Sequence, residues 1–364
     1  MKKILTICLA SGLILSGCGK KTTDTHEPAV FIKKNADYYQ NGVVIGNNIA
    51  MFLDFETLNI VPLCAVPNCT HLDSKCLAQN VGNKPIFYNN YIYYFESNGG
   101  NVRETSEGRE FFIDSKLKKA SLDSSEIEVV CEFNDCVPPD GYNGFVLQNG
   151  DLYFIGDDCN PVKDDYGGIN WGNTGGYHYL CSINLDTGKY TNHGSIYDGD
   201  KEYEAAPYSS QGFISGVFND KMFISYSFMK DLKELEDPES NFTVVNFEFD
   251  FSTKQWTKST LPYSEFMTGN IYTYYDFESK KLIVIDNENK TEILFEYEPI
   301  NFRIFNNKFF YPLKQKWYDL SDLSEHTMGE YADYEAVGYY NNCYILVKGN
   351  NAVKLTEEEL LALE

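Results

Sequence analysis

Asn89-Asn90-Tyr91-Ile92-Tyr93-Tyr94-Phe95 is the stretch that decides the fold. A polar turn is followed at once by a burst of β-branched and aromatic residues. The same phrase returns as Asn149-Gly150-Asp151-Leu152-Tyr153-Phe154-Ile155 and Asn219-Asp220-Lys221-Met222-Phe223-Ile224. It comes back again as Asn306-Asn307-Lys308-Phe309-Phe310-Tyr311 and Asn341-Asn342-Cys343-Tyr344-Ile345-Leu346-Val347. Such residues fill pleated strands, and the chain supplies them in quantity, with 28 Tyr and 25 Phe. Extending the pattern to its weaker copies divides the chain into units at 43–63, 88–133, 151–196, 221–261, 274–297, 302–328 and 337–355. The turn signals include Asp54-Phe55-Glu56-Thr57, Asp186-Thr187-Gly188-Lys189 and Asp319-Leu320-Ser321-Asp322. Spread over seven units, the roughly 330 residues of 36–364 allot about 47 to each, the period of propeller blades. One small antiparallel sheet cannot bury both of its faces, whereas radial stacking buries them and leaves short edges. The expectation is an all-β chain forming a β-propeller of seven blades, within a range of six to eight. A pair of β-sandwiches is the competing architecture. Thr356 with Glu359 is a capping box, which opens a short C-terminal helix.

The ends carry different information. Lys2-Lys3, an apolar run from Ile4 to Leu15 and then Leu15-Ser16-Gly17-Cys18 compose a secretory signal. The apolar run, about 12 residues, is too short for a permanent transmembrane helix. Cys after Leu-Ser-Gly looks like the lipobox of bacterial lipoproteins. That resemblance implies cleavage before Cys18, which becomes a lipidated, palmitate-bearing N-terminus. The expected organisation is a signal peptide at 1–17, a lipidated Cys and tether at 18–35, and a propeller at 36–364. The expected location is the extracytoplasmic face of the cell membrane, held by lipid.

Charge excludes some partners. The whole chain has 53 acidic and 30 basic residues, and loss of the signal with Lys2 and Lys3 moves the formal charge from −23 to −25. Phosphate backbones and anionic headgroups would be repelled, so nucleic acid is not an expected partner.

The sharpest chemical constellation is Cys64-Ala-Val-Pro-Asn-Cys69-Thr-His71-Leu-Asp-Ser-Lys-Cys76. Three thiols and an imidazole suffice to close a tetrahedron around a structural zinc. The spacing departs from the usual CxxC finger, and disulfides or plain thiols are the alternatives. This loop also resembles a recurrent element of uncharacterised propeller-like lipoproteins from clostridial, low-GC Gram-positive bacteria. The matching residues are Pro62-Leu63-Cys64, Pro67-Asn68-Cys69-Thr70-His71 and Cys76. The resemblance implies an extracytoplasmic propeller and brings no activity with it.

The third unit carries an insertion over 157–179, rich in Asp and Asn. Tyr166, Trp171 and Tyr177 are candidates for stacking on a sugar or peptide, against the alternative that they fold back on the blade. Cys159 and Cys181 bracket the insertion as a candidate disulfide. The motifs GxSxG, HExxH, GxGxxG and GxxxxGK[ST] do not occur. The sequence thus favours a binding or scaffold module with a glycan or peptide ligand. A propeller-type glycan hydrolase or lyase is the competing class, and a subunit of an envelope complex a third.

Overall fold

The computed structural model describes residues 30–32, 38–39, 41–45, 49–72, 76–81, 85–97, 101–105, 108–112, 114–121, 126–134, 136, 138, 144–157, 162–163, 169–170, 178–195, 210–229, 242–262, 266–268, 271–286, 289–296, 299 and 302–363. Seven small antiparallel sheets stand in a ring, a seven-bladed β-propeller. Blade 1 pairs strands Tyr38–Tyr39, Gly42–Ile45, Met51–Asp54 and Ile60–Pro62 in that order. Blade 2 uses Ile86–Tyr88, Tyr91–Ser97, Ser115–Ser121 and Ile127–Phe133. Blade 3 uses Phe145–Gln148, Asp151–Asp157, His178–Asn184 and Tyr190–Ser195. Blade 4 spans Ser210–Phe218 to Gln255–Lys258, and blade 5 spans Phe266–Thr268 to Lys281–Asp286 and Asn289–Leu294. Blade 6 runs from Arg303–Phe305 to Glu325–Thr327, and blade 7 has three strands, Glu335–Tyr340, Cys343–Lys348 and Asn351–Thr356.

Closure of the ring is visible in its packing. One apolar cluster sits at each of the seven junctions between neighbouring blades. The cluster that closes the circle joins Val43, Leu53 and Phe55 of blade 1 to Val337 and Ile345 of blade 7. Phe55 is fully buried there, over Gly338, where a Cβ would fall 2.4 Å from the ring. Tyr340 donates to Glu56 at 3.2 Å, and Lys354 donates to the Glu56 carbonyl at 2.7 Å. The last blade is therefore sealed to the first by side chains.

The repeated polar turn has a stereochemical cause. Its two central residues have positive φ in five blades: 47° and 65° at Asn89-Asn90, 50° and 79° at Asn149-Gly150, and 50° and 56° at Asn219-Asp220. The values are 40° and 62° at Asn306-Asn307, and 49° and 62° at Asn341-Asn342. A two-residue hairpin turn with both φ positive is type I′, which Asn, Asp and Gly tolerate and which matches strand twist. This turn lies inside a blade, between its innermost and second strands. Blades 2, 3 and 4 therefore start one strand before the units read from the sequence, whereas the units at 302–328 and 337–355 already take in the innermost strands of blades 6 and 7. The missed inner strands, such as Ile86–Tyr88 and Phe145–Gln148, are short and lack clean alternation, because both of their faces are largely covered.

The turns distinguish two faces of the ring. Successive connections in an antiparallel meander alternate between faces, so the I′ turns share one face with the turns between third and fourth strands. Three backbone bonds confirm the pairing: Phe55 N–H to Asn41 O, Leu185 N–H to Gly150 O and Leu320 N–H to Asn307 O. We call this the turn face. The opposite, loop face receives the Cys/His loop after Pro62, the blade 2 connection holding the hairpin Asn101–Thr105 with Gly108–Phe112, and the insertion between Asp157 and His178. An extra strand, Val30–Ile32, pairs antiparallel with the inner edge of blade 3, in register Val30 to Leu147 and Ile32 to Phe145. It therefore enters the ring from the turn face and runs along the inner edge of blade 3 toward the loop face. At the other end, the helix Glu357–Leu361 has the expected capping box, with Glu359 N–H donating to Thr356 Oγ1 at 3.2 Å and Thr356 N–H to Glu359 Oε2 at 2.8 Å.

Candidate metal centre

The Cys/His loop is fixed at both ends before any ligand is considered. Leu63 N–H donates to Ala50 O at 2.8 Å as the chain leaves blade 1. At the far end a single helical turn, Leu77–Asn80, buries Leu77 and Ala78, and Ala50 N–H donates back to Ala78 O at 2.9 Å. Leu77 and Val81 belong to the apolar cluster between blades 1 and 2, so this short helix is held by tertiary packing rather than by its length. Between these fixed ends Cys69 N–H closes a turn onto Val66 O at 3.2 Å. Asn68 and His71 both have positive φ, 61° and 58°. The left-handed region is unremarkable for Asn but costs a His about 1 kcal/mol or more. His71 is held in this conformation by Gln79, whose side-chain amide donates to the His71 carbonyl at 2.5 Å.

These bends bring four ligand atoms together. Cys64, Cys69, His71 and Cys76 each offer one donor, and all four atoms lie within 4.8 Å of one another. His71 Nδ1 is 3.4 Å from Cys76 Sγ, and the His71 N–H points at Cys69 Sγ at 3.4 Å. Around zinc, tetrahedral edges between sulfurs are about 3.8 Å and between nitrogen and sulfur about 3.6 Å. The cluster thus has the size and the donor types of a Cys₃His site. None of its cysteines is joined in a disulfide in this structure, and the same holds for Cys136 and Cys181. Cys76 is buried, and burial followed by hydrogen bonding of its protonated thiol with Cys64 and Cys69 pushes its pKa up to about 11. A divalent cation would relieve this crowding by replacing protons.

The other candidate residues are placed differently. Cys18, Cys159, Tyr166, Trp171 and Tyr177 lie outside the described residues. Cys181 is fully buried in blade 3, with its Sγ 3.7 Å from that of Cys136. The scattered histidines make local contacts: His193 bonds Ser182 at 2.8 Å, and His326 stacks on Trp317 at 4.1 Å between ring centres. Burial, followed by the nearby Lys254, lowers the pKa of His193. Two polar groupings escaped the sequence reading. Lys308, buried in blade 6, is paired with Asp319 and with Glu357 of the terminal helix. Lys254 of blade 4 donates to the Tyr153 hydroxyl of blade 3. Lys308 and Asp319 are directly opposed on adjacent strands of blade 6, whereas Lys308 with Glu357 and Lys254 with Tyr153 bring together residues far apart in sequence, a meeting that no local pattern announces.

Comparison by sequence finds no matching family model and no matching curated protein. Among solved structures the chain is similar to an oligogalacturonate lyase in complex with manganese, at TM-score 0.42 and 10% identity over 91% of this chain and 92% of that one. It is similar to the α-L-arabinofuranosidase Arb93A from Fusarium graminearum at TM-score 0.27 and 9% identity, covering 92% of this chain and 99% of that one. For the dipeptidyl peptidase 4 of Porphyromonas gingivalis the values are 0.27 and 7%, over 94% of this chain and 49% of that one. The fold assignment rests on strand order and junction packing, and no activity is carried over from these proteins.

Proposed function

We propose that this chain is a lipid-anchored, extracytoplasmic propeller whose loop face is a binding surface for a glycan or peptide. The observation that carries the reading is the polarity of the ring. The N-terminal strand enters from the face of tight turns, and the long connections stand on the other face. With lipid on Cys18, residues 18–29 remain as the tether, about 40 Å at full extension. The tether then leads from the bilayer to the turn face, and the loop face is directed away from the membrane. Binding residues concentrate on loops carried by rigid scaffolds, as the insertion with Tyr166, Trp171 and Tyr177 would be here.

In the same reading Cys64, Cys69, His71 and Cys76 hold zinc. Four protein ligands leave no open position, so the metal staples the loop instead of activating water. The strain at His71 and the crowding of three thiols are then offset by coordination.

Expression of the full chain in a bacterium that processes lipoproteins tests the anchor. The wild type is expected in the membrane fraction with a lipidated N-terminal peptide, and Cys18→Ala in the soluble exported fraction. Equal membrane recovery of the variant, or an unmodified Cys18 in the wild type, contradicts the reading. Binding is tested by thermal shift against glycans and peptides, with Trp171→Ala expected to reduce any ligand-induced rise in Tm.

A further inference from the structure

We propose that Cys136 and Cys181 are the two halves of a disulfide, closed as blades 2 and 3 come together in a chain folding outside the cytoplasm. The location rests on the export reading above; the pairing rests on geometry. The two residues are 45 apart in sequence and both are fully buried, with sulfurs 3.7 Å from each other. Cys136 lies on the connection leading into blade 3, and Cys181 in that blade's third strand. Between them the second strand offers Gly156, where a Cβ would come within 2.4 Å of the Cys136 sulfur and 3.6 Å of the Cys181 sulfur. Absence of that side chain is what lets the two sulfurs meet.

The surroundings hold both residues in place. Ser115 Oγ donates to the Cys136 carbonyl at 3.2 Å. The Tyr190 hydroxyl lies 3.2 Å from the Cys181 sulfur and 3.5 Å from that of Cys136, and its ring stacks on Phe133 at 4.9 Å. Burial, then the two thiols, raise the Tyr190 pKa far above its usual value, so the phenol stays neutral beside the sulfurs. A disulfide needs the sulfurs at about 2.05 Å, an approach that side-chain rotation supplies.

The step balances with a disulfide donor, protein or small molecule, as oxidant. The thiolate of one cysteine attacks a donor sulfur, giving a mixed disulfide and releasing one donor thiol. The second thiolate then displaces the other donor sulfur. The chain loses two protons and two electrons, and the donor leaves as two thiols. Because both sulfurs are buried in the finished ring, the exchange belongs to the stage before the junction closes. The product ties the start of blade 3 to its third strand, across the base of the connection 158–177.

The test is refolding of the denatured, reduced chain in a glutathione redox buffer, followed by alkylation of remaining thiols under denaturing conditions and peptide mapping. The expected product is a Cys136 peptide linked to a Cys181 peptide, lighter than the separate peptides by two hydrogen atoms and separated by reductant. Cys159→Ser should keep this link and Cys136→Ala should abolish it. Quantitative alkylation of both cysteines, or a link from Cys181 to Cys159, overturns the proposal. If refolded protein carries the link while protein isolated from cells does not, the export reading fails and the pairing stands.

Discussion

His71 shows most directly how a sequence signal becomes a site. Its place two residues after Cys69 puts it near the thiols, and a left-handed backbone held by Gln79 turns its ring toward Cys76. The full chain should therefore hold one zinc ion per chain. His71→Ala should lose it to a chelator concentration that leaves the wild type loaded, with Val66→Ala as a control in the same loop. Wild type without stoichiometric metal would remove zinc from the account. Carboxylates at the turns give a second prediction. Hydrogen bonds from Ser252 and Thr253 hold Asp250 at about 2, below its ordinary 3.8, and Lys281 and Lys290 hold Glu292 at about 2, below 4.5. Because these folded values lie below the unfolded ones, their stabilisation is complete above about pH 4.5 and fades as pH falls toward 2. The Tm gap between wild type and Asp250→Ala should accordingly be widest near neutrality and shrink between pH 4 and 2. A gap that widens in acid would contradict the assignment.

Elements obey rules that the sequence states openly in some places and conceals in others. At the hairpins, Asn307 sits at φ 62°, so Asn307→Val should cost about 1–2 kcal/mol while Asn307→Gly stays within a few tenths. A lower urea midpoint at unchanged m would show it, and equal midpoints for the two variants would refute the I′ reading. The same asparagines made the repeat legible, because few residues accept two successive positive φ values. The capping box at Thr356 and Glu359 was equally readable, since its partners are three residues apart. The Cys/His loop was readable for the same local reason. The innermost strands of blades 2, 3 and 4 were not legible: largely buried on both faces, Phe145–Gln148 shows no period of two. Nor was the meeting of Cys136 with Cys181, which depends on how blade 3 pairs its strands rather than on spacing.

At the scale of the whole molecule, two features follow from chain path alone. The ring closes through side chains at the junction of blades 1 and 7, so that junction concentrates the energetic cost of opening. Phe55→Ala, emptying a fully buried site, should destabilise the chain by about 3–5 kcal/mol, measured by denaturant unfolding. A loss below about 1 kcal/mol would mean that the first and last blades are not in contact as described. The second feature is the opposition of turn face and loop face. Asn342 in a hairpin of blade 7 and Asn350 in the next connection of the same blade lie on opposite faces, both exposed. The decisive measurement places a fluorescent donor on a genetically encoded ketone residue at one or the other position. Energy transfer to an acceptor lipid is then read with the lipidated chain anchored in vesicles. The account predicts markedly stronger transfer from position 342 than from position 350, and equal or reversed transfer would contradict it.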